Sequence, residues 1–360
     1  MSMTDLDLTE FRRILLIKPS SPGDIIHALP VLHGLHRRYP AAYRAWLVAA
    51  PFVNLIEADP ALNEVIAFDR RRFGQVGRSL RITREFVAFL RELRRRRFDL
   101  VIDLQGLLRS GFLARATRAP VRIGFAAARE MAWIFYTHKL DLPDHDAHAA
   151  DKNYAVARLL GFADLPMDFT IALTPEDRDS ARRLLKEAGF ESREPYVVLV
   201  PTTRWETKCW PPDRFGKLAR LLRERHGLRS ALVGGPADSG IGDLAACTSH
   251  EAASNLCGQT TLRELAALVE HAAIVVTADS TPMHMAVALG RPLVALFGPT
   301  NPRRTGPHDR LLDVLRIELP CSPCYLRKLR QCPHEHACMQ RLTVDDVAEA
   351  VALRLESTPE

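Results

Sequence analysis

Arg13-Ile-Leu-Leu-Ile-Lys18-Pro-Ser-Ser-Pro-Gly-Asp24-Ile-Ile-His-Ala-Leu29 is the stretch from which the rest of the chain can be read. Its apolar run, residues 13–18, is short and is stopped by Pro19, as expected of a strand buried in a parallel sheet. Ser20, Ser21, Pro22, Gly23 and Asp24 form a turn. Ile25, Ile26, Leu29, Leu32 and Leu35 then recur at helical spacing. Strand, loop and helix in that order open an α/β unit.

The alternation continues outward. Residues 45–48, 64–68, 98–103 and 121–124 read as strands, with helices over 83–97, 107–116 and 153–160. A second series begins with a helix at 175–188, which Thr174 caps and Pro175 starts. Strands at 196–200, 230–234, 273–277 and 293–297 follow, alternating with helices at 212–226, 261–271 and 282–289. A last helix covers 344–355. Such alternation implies parallel sheets with right-handed crossovers. At 360 residues the chain is too long for one ordinary core. The expectation is an α/β protein of two Rossmann-like, doubly wound lobes facing a central cleft. The first lobe is assigned 1–168 and the second 169–340, with a terminal helix in 341–360 that packs back on the first lobe.

No run of about 18 apolar residues exists, so no transmembrane helix is predicted. The acidic first ten residues lack a basic-then-apolar pattern, so no secretory signal is predicted and a cytoplasmic location is expected. The net charge of +6 is modest but unevenly placed: Arg70, Arg71 and Arg72, then Arg78, Arg81 and Arg84, then 94–97. These clusters are either solvated helix faces or an attraction for phosphorylated headgroups, acidic sugars or nucleic acid.

In open parallel sheets, ligands sit beyond the carboxyl ends of the strands. Four loops meet that condition. In the first, Asp24 stands at a helix start, where it is an N-cap or a base. A helix N-terminus favours the ionised carboxylate and so makes a weak base. Glycosyl transfer through an oxocarbenium-like state tolerates one, because the acceptor proton leaves late. In the second, 201–211, Thr202 and Thr203 offer hydroxyls and Lys208 a point charge for phosphate oxygens. In the third, Gly234-Gly-Pro-Ala-Asp238, the dinucleotide fingerprint is missing, and Asp238 is a ribose partner or a cap. In the fourth, Asp279-Ser-Thr-Pro-Met-His284, Ser280 or Thr281 caps a helix whose free N–H groups suit an anion. Asp279 there orients donors or accepts from a sugar hydroxyl, and His284 is a ligand or an interior histidine.

Residues 17–30, 279–290 and 296–302 together resemble the lipopolysaccharide heptosyltransferases of glycosyltransferase family 9, and the resemblance spans both lobes. Asp103-Leu-Gln-Gly-Leu-Leu-Arg-Ser110, with Arg129 and His148, is most similar to heptosyltransferase I. The resemblance implies a GT-B architecture and an inverting, metal-independent transfer without a cofactor. It implies an ADP-heptose donor and a Kdo-lipid A type acceptor, at the cytoplasmic face of an inner membrane and without nucleic acid. It implies Asp24 as general base. It also implies Thr202, Thr203, Lys208, Asp238, Asp279, Ser280, Thr281 and His284 around the donor. Gln105, Arg129 and His148 would face the acidic acceptor, with Arg70, Arg71 and Arg72 on a mobile basic loop. The chain departs from the pattern where Thr281 replaces a small glycine, where the 203–208 loop is one residue longer, and where Ala237 occupies the acidic slot before Asp238.

Four of seven cysteines cluster late, as Cys321, Cys324, Cys332 and Cys338, with His334 and His336 among them. Their types suit a structural metal or reduced or redox-paired thiols, but the second half does not repeat C-x-x-C. Three other readings stand beside the first. They are a relative with another donor or acceptor, such as heptosyltransferase II or a hexosyltransferase; a non-catalytic polyanion binder; and a sugar-nucleotide epimerase. Steep salt dependence of binding to any polyanion would mark the binder.

Overall fold

The computed structural model describes residue 6 and residues 10–142, 144, 146–192 and 194–357. The chain divides into two compact units, Met1–Ala172 and Leu173–Glu360.

In the first unit β1 (Arg13–Ile17), β2 (Tyr43–Ala49), β3 (Glu64–Phe68), β4 (Leu100–Asp103), β5 (Val121–Phe125) and β6 (His138–Leu140) form one sheet. Its order is β3-β2-β1-β4-β5-β6, and every neighbouring pair is parallel. In the second unit β7 (Tyr196–Val200), β8 (Arg229–Leu232), β9 (Ala253–Asn255), β10 (Ile274–Ala278), β11 (Leu293–Phe297) and β12 (Val314–Arg316) repeat the plan. The order β12-β11-β10-β7-β8-β9 is the same winding, again all parallel. In each sheet the order reverses beside the first strand, between β1 and β4 and between β7 and β10. Loops leaving those paired strands diverge to opposite faces and open a crevice.

Each sheet is covered by amphipathic helices. Phe215, Leu218, Ala219 and Leu222 of the helix Pro212–His226 recur at helical spacing and are buried with Val197, Leu199 and Leu232 of β7 and β8. Trp210, buried just before that helix, donates its indole N–H to the Leu342 carbonyl at 2.9 Å. In the first unit Leu15, Ile17, Leu47, Ile66 and Val101 pack with Leu93 and Leu113 from two helices. Burying one such side chain contributes about 1.5–3 kcal/mol, so the paired layers hold both crevices in place.

The last helix is Val344–Glu356. Its apolar face, Val347, Ala348 and Val351, is buried in the core of the second unit. The first unit ends at Ala172, and Asp168 near that end is tied to the helix Leu29–Arg38. Arg37 donates to its carboxylate at 2.7 Å, and the His33 ring meets its carbonyl at 2.7 Å.

His33 gives the first unit a pH dependence. Its Nδ1 faces the Asp168 carbonyl and its Nε2 the Asp59 carboxylate at 3.0 Å, so both partners accept and the doubly protonated ring satisfies both. Burial opposes the imidazolium, but the hydrogen bond and charge of Asp59, with Asp168 behind them, outweigh it and raise the pKa. A raised folded-state pKa contributes stability fully below the unfolded value, about 6.5, and loses it as pH rises through the folded value. The melting temperature is therefore expected to fall as pH rises through that window, and His33→Gln to flatten the slope. An unchanged slope in the variant would remove His33 as the cause.

Candidate active site

At the first crevice Asp24 is the third residue of a five-residue helix, Pro22–Ile26, that starts directly after β1. Its Oδ2 accepts from the Ser21 N–H at 2.8 Å and the Ser21 hydroxyl at 2.7 Å. Asp24 thus secures its own helix start and is only partly exposed. Gln105, on the loop after β4, accepts from the Ser20 N–H at 3.3 Å, which fastens the two crevice loops together.

Beneath them lie groups that sequence reasoning missed. Lys18 is buried at the end of β1 and donates to the Leu104 carbonyl at 2.7 Å. Burial lowers its pKa, while the charges of Asp24 and Asp103 pull the other way. Asp103, wholly buried at the end of β4, accepts from the Tyr136 hydroxyl at 2.7 Å and from the backbone N–H groups of Gln105 and Gly106. Burial raises its pKa against the pull of those three hydrogen bonds. Lys18 directly follows the apolar run of β1, and Asp103 ends that of β4.

The other acceptor-side residues are distributed less simply. Arg129 is exposed, and its backbone N–H donates to the Gly106 carbonyl at 3.1 Å, so it stands on the segment next to Gln105. His148 Nδ1 accepts from the Ala150 N–H at 3.1 Å as an N-cap, and its ring meets the edge of His27, which closes the Asp24 helix, at 4.9 Å. Arg70, Arg71 and Arg72 are not a loop. They form the short helix Arg70–Phe73, because the Asp69 carboxylate accepts from the Arg72 N–H at 2.9 Å. The Arg72 guanidinium is paired with Glu85 at 2.7 Å, whereas Arg70 and Arg71 are exposed.

At the second crevice the loops after β7 and β10 meet. Lys208 Nζ donates to Asp279 Oδ2 at 2.7 Å and lies 4.4 Å over the Trp205 ring. The same Asp279 oxygen accepts from the Thr300 hydroxyl at 2.8 Å and the Thr305 hydroxyl at 3.2 Å. Those two threonines were missed, although Thr300 sits in a motif that carries the family resemblance. Ser280 occupies the N-cap position of the helix Thr281–Ala288, yet its hydroxyl pairs with Thr277 at 2.8 Å instead of capping. The first N–H groups of that helix therefore remain without a side-chain cap, which leaves them to an anion. Thr202 and His284 are buried beside these loops, and the Thr203 hydroxyl is engaged with the backbone of Trp205. Asp238 takes the capping role: its Oδ2 accepts from the Gly235 N–H at 2.7 Å.

Cys321, Cys324, Cys332 and Cys338 line one cavity of about 150 Å³ in the second unit. All four are free thiols, and burial with three neighbouring cysteines pushes the Cys338 pKa up to about 11. Among the described residues no three His, Cys, Asp or Glu side chains are grouped to hold a metal ion.

The family described as glycosyltransferase family 9 (heptosyltransferase) matches residues 86–336. Lipopolysaccharide heptosyltransferase 1 of Pseudomonas aeruginosa is 32% identical over 90% of this chain and 89% of its own. Lipopolysaccharide heptosyltransferase 3 of Escherichia coli K12 is 28% identical over 78% of this chain and 80% of its own. The solved E. coli heptosyltransferase WaaC with ADP-2-deoxy-2-fluoro heptose is 25% identical, has a TM-score of 0.73, and covers 95% of this chain and 99% of its own.

Proposed function

The chain belongs to glycosyltransferase family 9, the heptosyltransferases of lipopolysaccharide core synthesis, with the GT-B fold, and from that membership we propose that it moves heptose from ADP-heptose to a Kdo-lipid A type acceptor with inversion. The observation that carries the donor half is the pairing above β7 and β10 of a lysine with an uncapped helix N-terminus, the combination a diphosphate requires. The solved relative that holds an ADP-heptose analogue supports the same donor.

In this reading the bond from heptose C1 to the diphosphate oxygen breaks first, and its electron pair leaves with ADP. Lys208 and the N–H groups of helix Thr281–Ala288 balance the charge developing on the phosphates. Thr202, Thr203, Asp238 and His284 border the donor. The acceptor hydroxyl closes on the opposite face of C1, and its proton passes to Asp24 late, when the hydroxyl has become acidic. Ser21 holds the carboxylate in one orientation for that step. Gln105, Arg129, His148 and the exposed Arg70 and Arg71 meet the carboxylate and phosphates of the acceptor. The likeness to heptosyltransferase 3 favours a second reading, in which the chain is a member of the same family that uses another acceptor.

The test is a thermal-shift series followed by turnover. ADP is expected to raise the melting temperature more than UDP or GDP at equal concentration, because only a ligand of the folded state stabilises it. ADP-heptose with Kdo-lipid A is then expected to yield free ADP and a heptosylated lipid. A UDP- or GDP-sugar that stabilises the protein while ADP-heptose does not would overturn the donor. Turnover on another lipopolysaccharide acceptor but not on Kdo-lipid A would favour the second reading.

A further inference from the structure

The helix Leu108–Ala116 carries Leu108 and Phe112 four residues apart, hence on one face, and both are exposed. The turn Ala132–Phe135 packs tightly beside it. A Cβ on Gly111 would fall 2.9 Å from the Phe135 ring and 3.0 Å from the Ala132 carbonyl, so the close approach requires glycine. The Leu108 N–H is also bonded to the Glu130 carboxylate at 3.1 Å. The two adjacent segments both expose large apolar side chains: Leu108, Phe112, Met131, Trp133 and Ile134. Met131 is 60% exposed, Ile134 50% and Trp133 39%.

Exposed apolar side chains of this size, close together, mark a contact site. The charge around them selects one. The Lys139 ammonium lies 4.6 Å over the Trp133 ring, and Arg109 and Arg115 are exposed on the same helix as Phe112. Glu130 accepts from the Leu108 N–H, and Glu85 is paired with Arg72 and Arg81. A few apolar and indole side chains rimmed by cations match the interface of a bilayer with anionic headgroups. Among the described residues no helix is long and apolar enough to cross a membrane, so contact through this face would be peripheral.

The location adds a second argument. Gln105 precedes Leu108 by three residues, and Arg129 precedes Met131 by two, with its N–H bonded to Gly106. The same two segments that carry acceptor-side residues carry the apolar face. We propose that Leu108, Phe112, Met131, Trp133 and Ile134 dock the first unit onto an anionic lipid bilayer, so that a saccharide anchored in that bilayer reaches Gln105 and Arg129. The proposal rests on the reading of the acceptor as a lipid-anchored saccharide.

Sedimentation of the full chain with vesicles tests it. Binding is expected to vesicles of phosphatidylcholine with phosphatidylglycerol and to be weak with phosphatidylcholine alone. The surface double variant Met131→Ser/Ile134→Ser is expected to keep the melting temperature and to lose about tenfold in vesicle partition. Brominated lipid is expected to quench wild-type tryptophan fluorescence, and Trp133→Phe to abolish that quenching while still sedimenting. On a soluble, deacylated acceptor the double variant is expected to turn over like the wild type, and on a vesicle-borne acceptor about tenfold more slowly. Undiminished sedimentation of the double variant overturns the proposal. So does a wild-type dimer that the double variant converts to monomer, because a second copy then covers the face. Failure of the wild type on the soluble acceptor would instead overturn the acceptor reading, while the vesicle result stands separately.

Discussion

Asp24→Asn is expected to lower kcat by about two to four orders of magnitude and to leave the melting temperature almost unchanged. The two halves of that result come from two jobs that one side chain does. As a cap, Asp24 accepts two hydrogen bonds from Ser21 at the head of a five-residue helix. A capping interaction is worth about 1 kcal/mol, and asparagine, which also accepts, preserves most of it. As a base, Asp24 must take a proton, which asparagine cannot do. Two to four decades correspond to about 3–5 kcal/mol of barrier, so the catalytic loss exceeds the structural one several-fold. Ser21→Ala is the reciprocal control. It removes one of the two donors, costs about 1 kcal/mol of stability, and leaves a proton acceptor in place, so kcat should fall by less than about tenfold. If Asp24→Asn keeps wild-type turnover, the carboxylate is a cap alone and the base lies elsewhere. Equal losses of activity in the two variants would mean that the loop's shape, not its charge, limits the rate.

The contrast between Asp24 and Lys18 shows where the sequence stopped being informative. Asp24 was legible because its turn, its helix and the preceding strand are contiguous. The burial of Lys18 is decided by a strand 86 residues away, when β4 docks beside β1 and Leu104 offers its carbonyl. A lone lysine after an apolar run otherwise reads as a solvated end. Distance in the chain also hid Thr300 and Thr305, which reach Asp279 across 21 and 26 residues. The central strands β1, β4, β7 and β10 were legible as near-continuous apolar runs, because both faces are covered by helices. The outer strands β6, β9 and β12 are three residues each and only partly buried, and His138, Lys139, Asn255 and Arg316 break any apolar run. Edge strands pair on one side only, so burial imposes little pattern on them. Arg70, Arg71 and Arg72 were read correctly as cations and incorrectly as a loop. A single preceding aspartate sets a helix too short to show periodicity.

Asp279→Ala is expected to cost about 3–5 kcal/mol of stability, the largest structural loss foreseen for any one substitution at either crevice. One oxygen of this carboxylate satisfies the Lys208 ammonium and two threonine hydroxyls. The Lys208 and Asp279 side chains are only 14% and 7% exposed, so water cannot replace what the alanine removes. The residual cost is that of a largely buried ammonium left without its counter-charge rather than of the lost attraction. That distinction is testable. The double variant Lys208→Met/Asp279→Leu deletes both charges and fills the space with apolar groups. It is expected to recover most of the lost stability, so the two substitutions should be strongly non-additive. Donor binding should not recover with it. Losing a charged partner for the diphosphate costs about 1.5–3 kcal/mol, or about ten- to a hundredfold in the Kd for ADP. The double variant should therefore melt near the wild type and still bind ADP poorly. If it regains ADP affinity along with stability, Lys208 serves only to neutralise Asp279, and the anion must be held by the helix N-terminus at Thr281 alone.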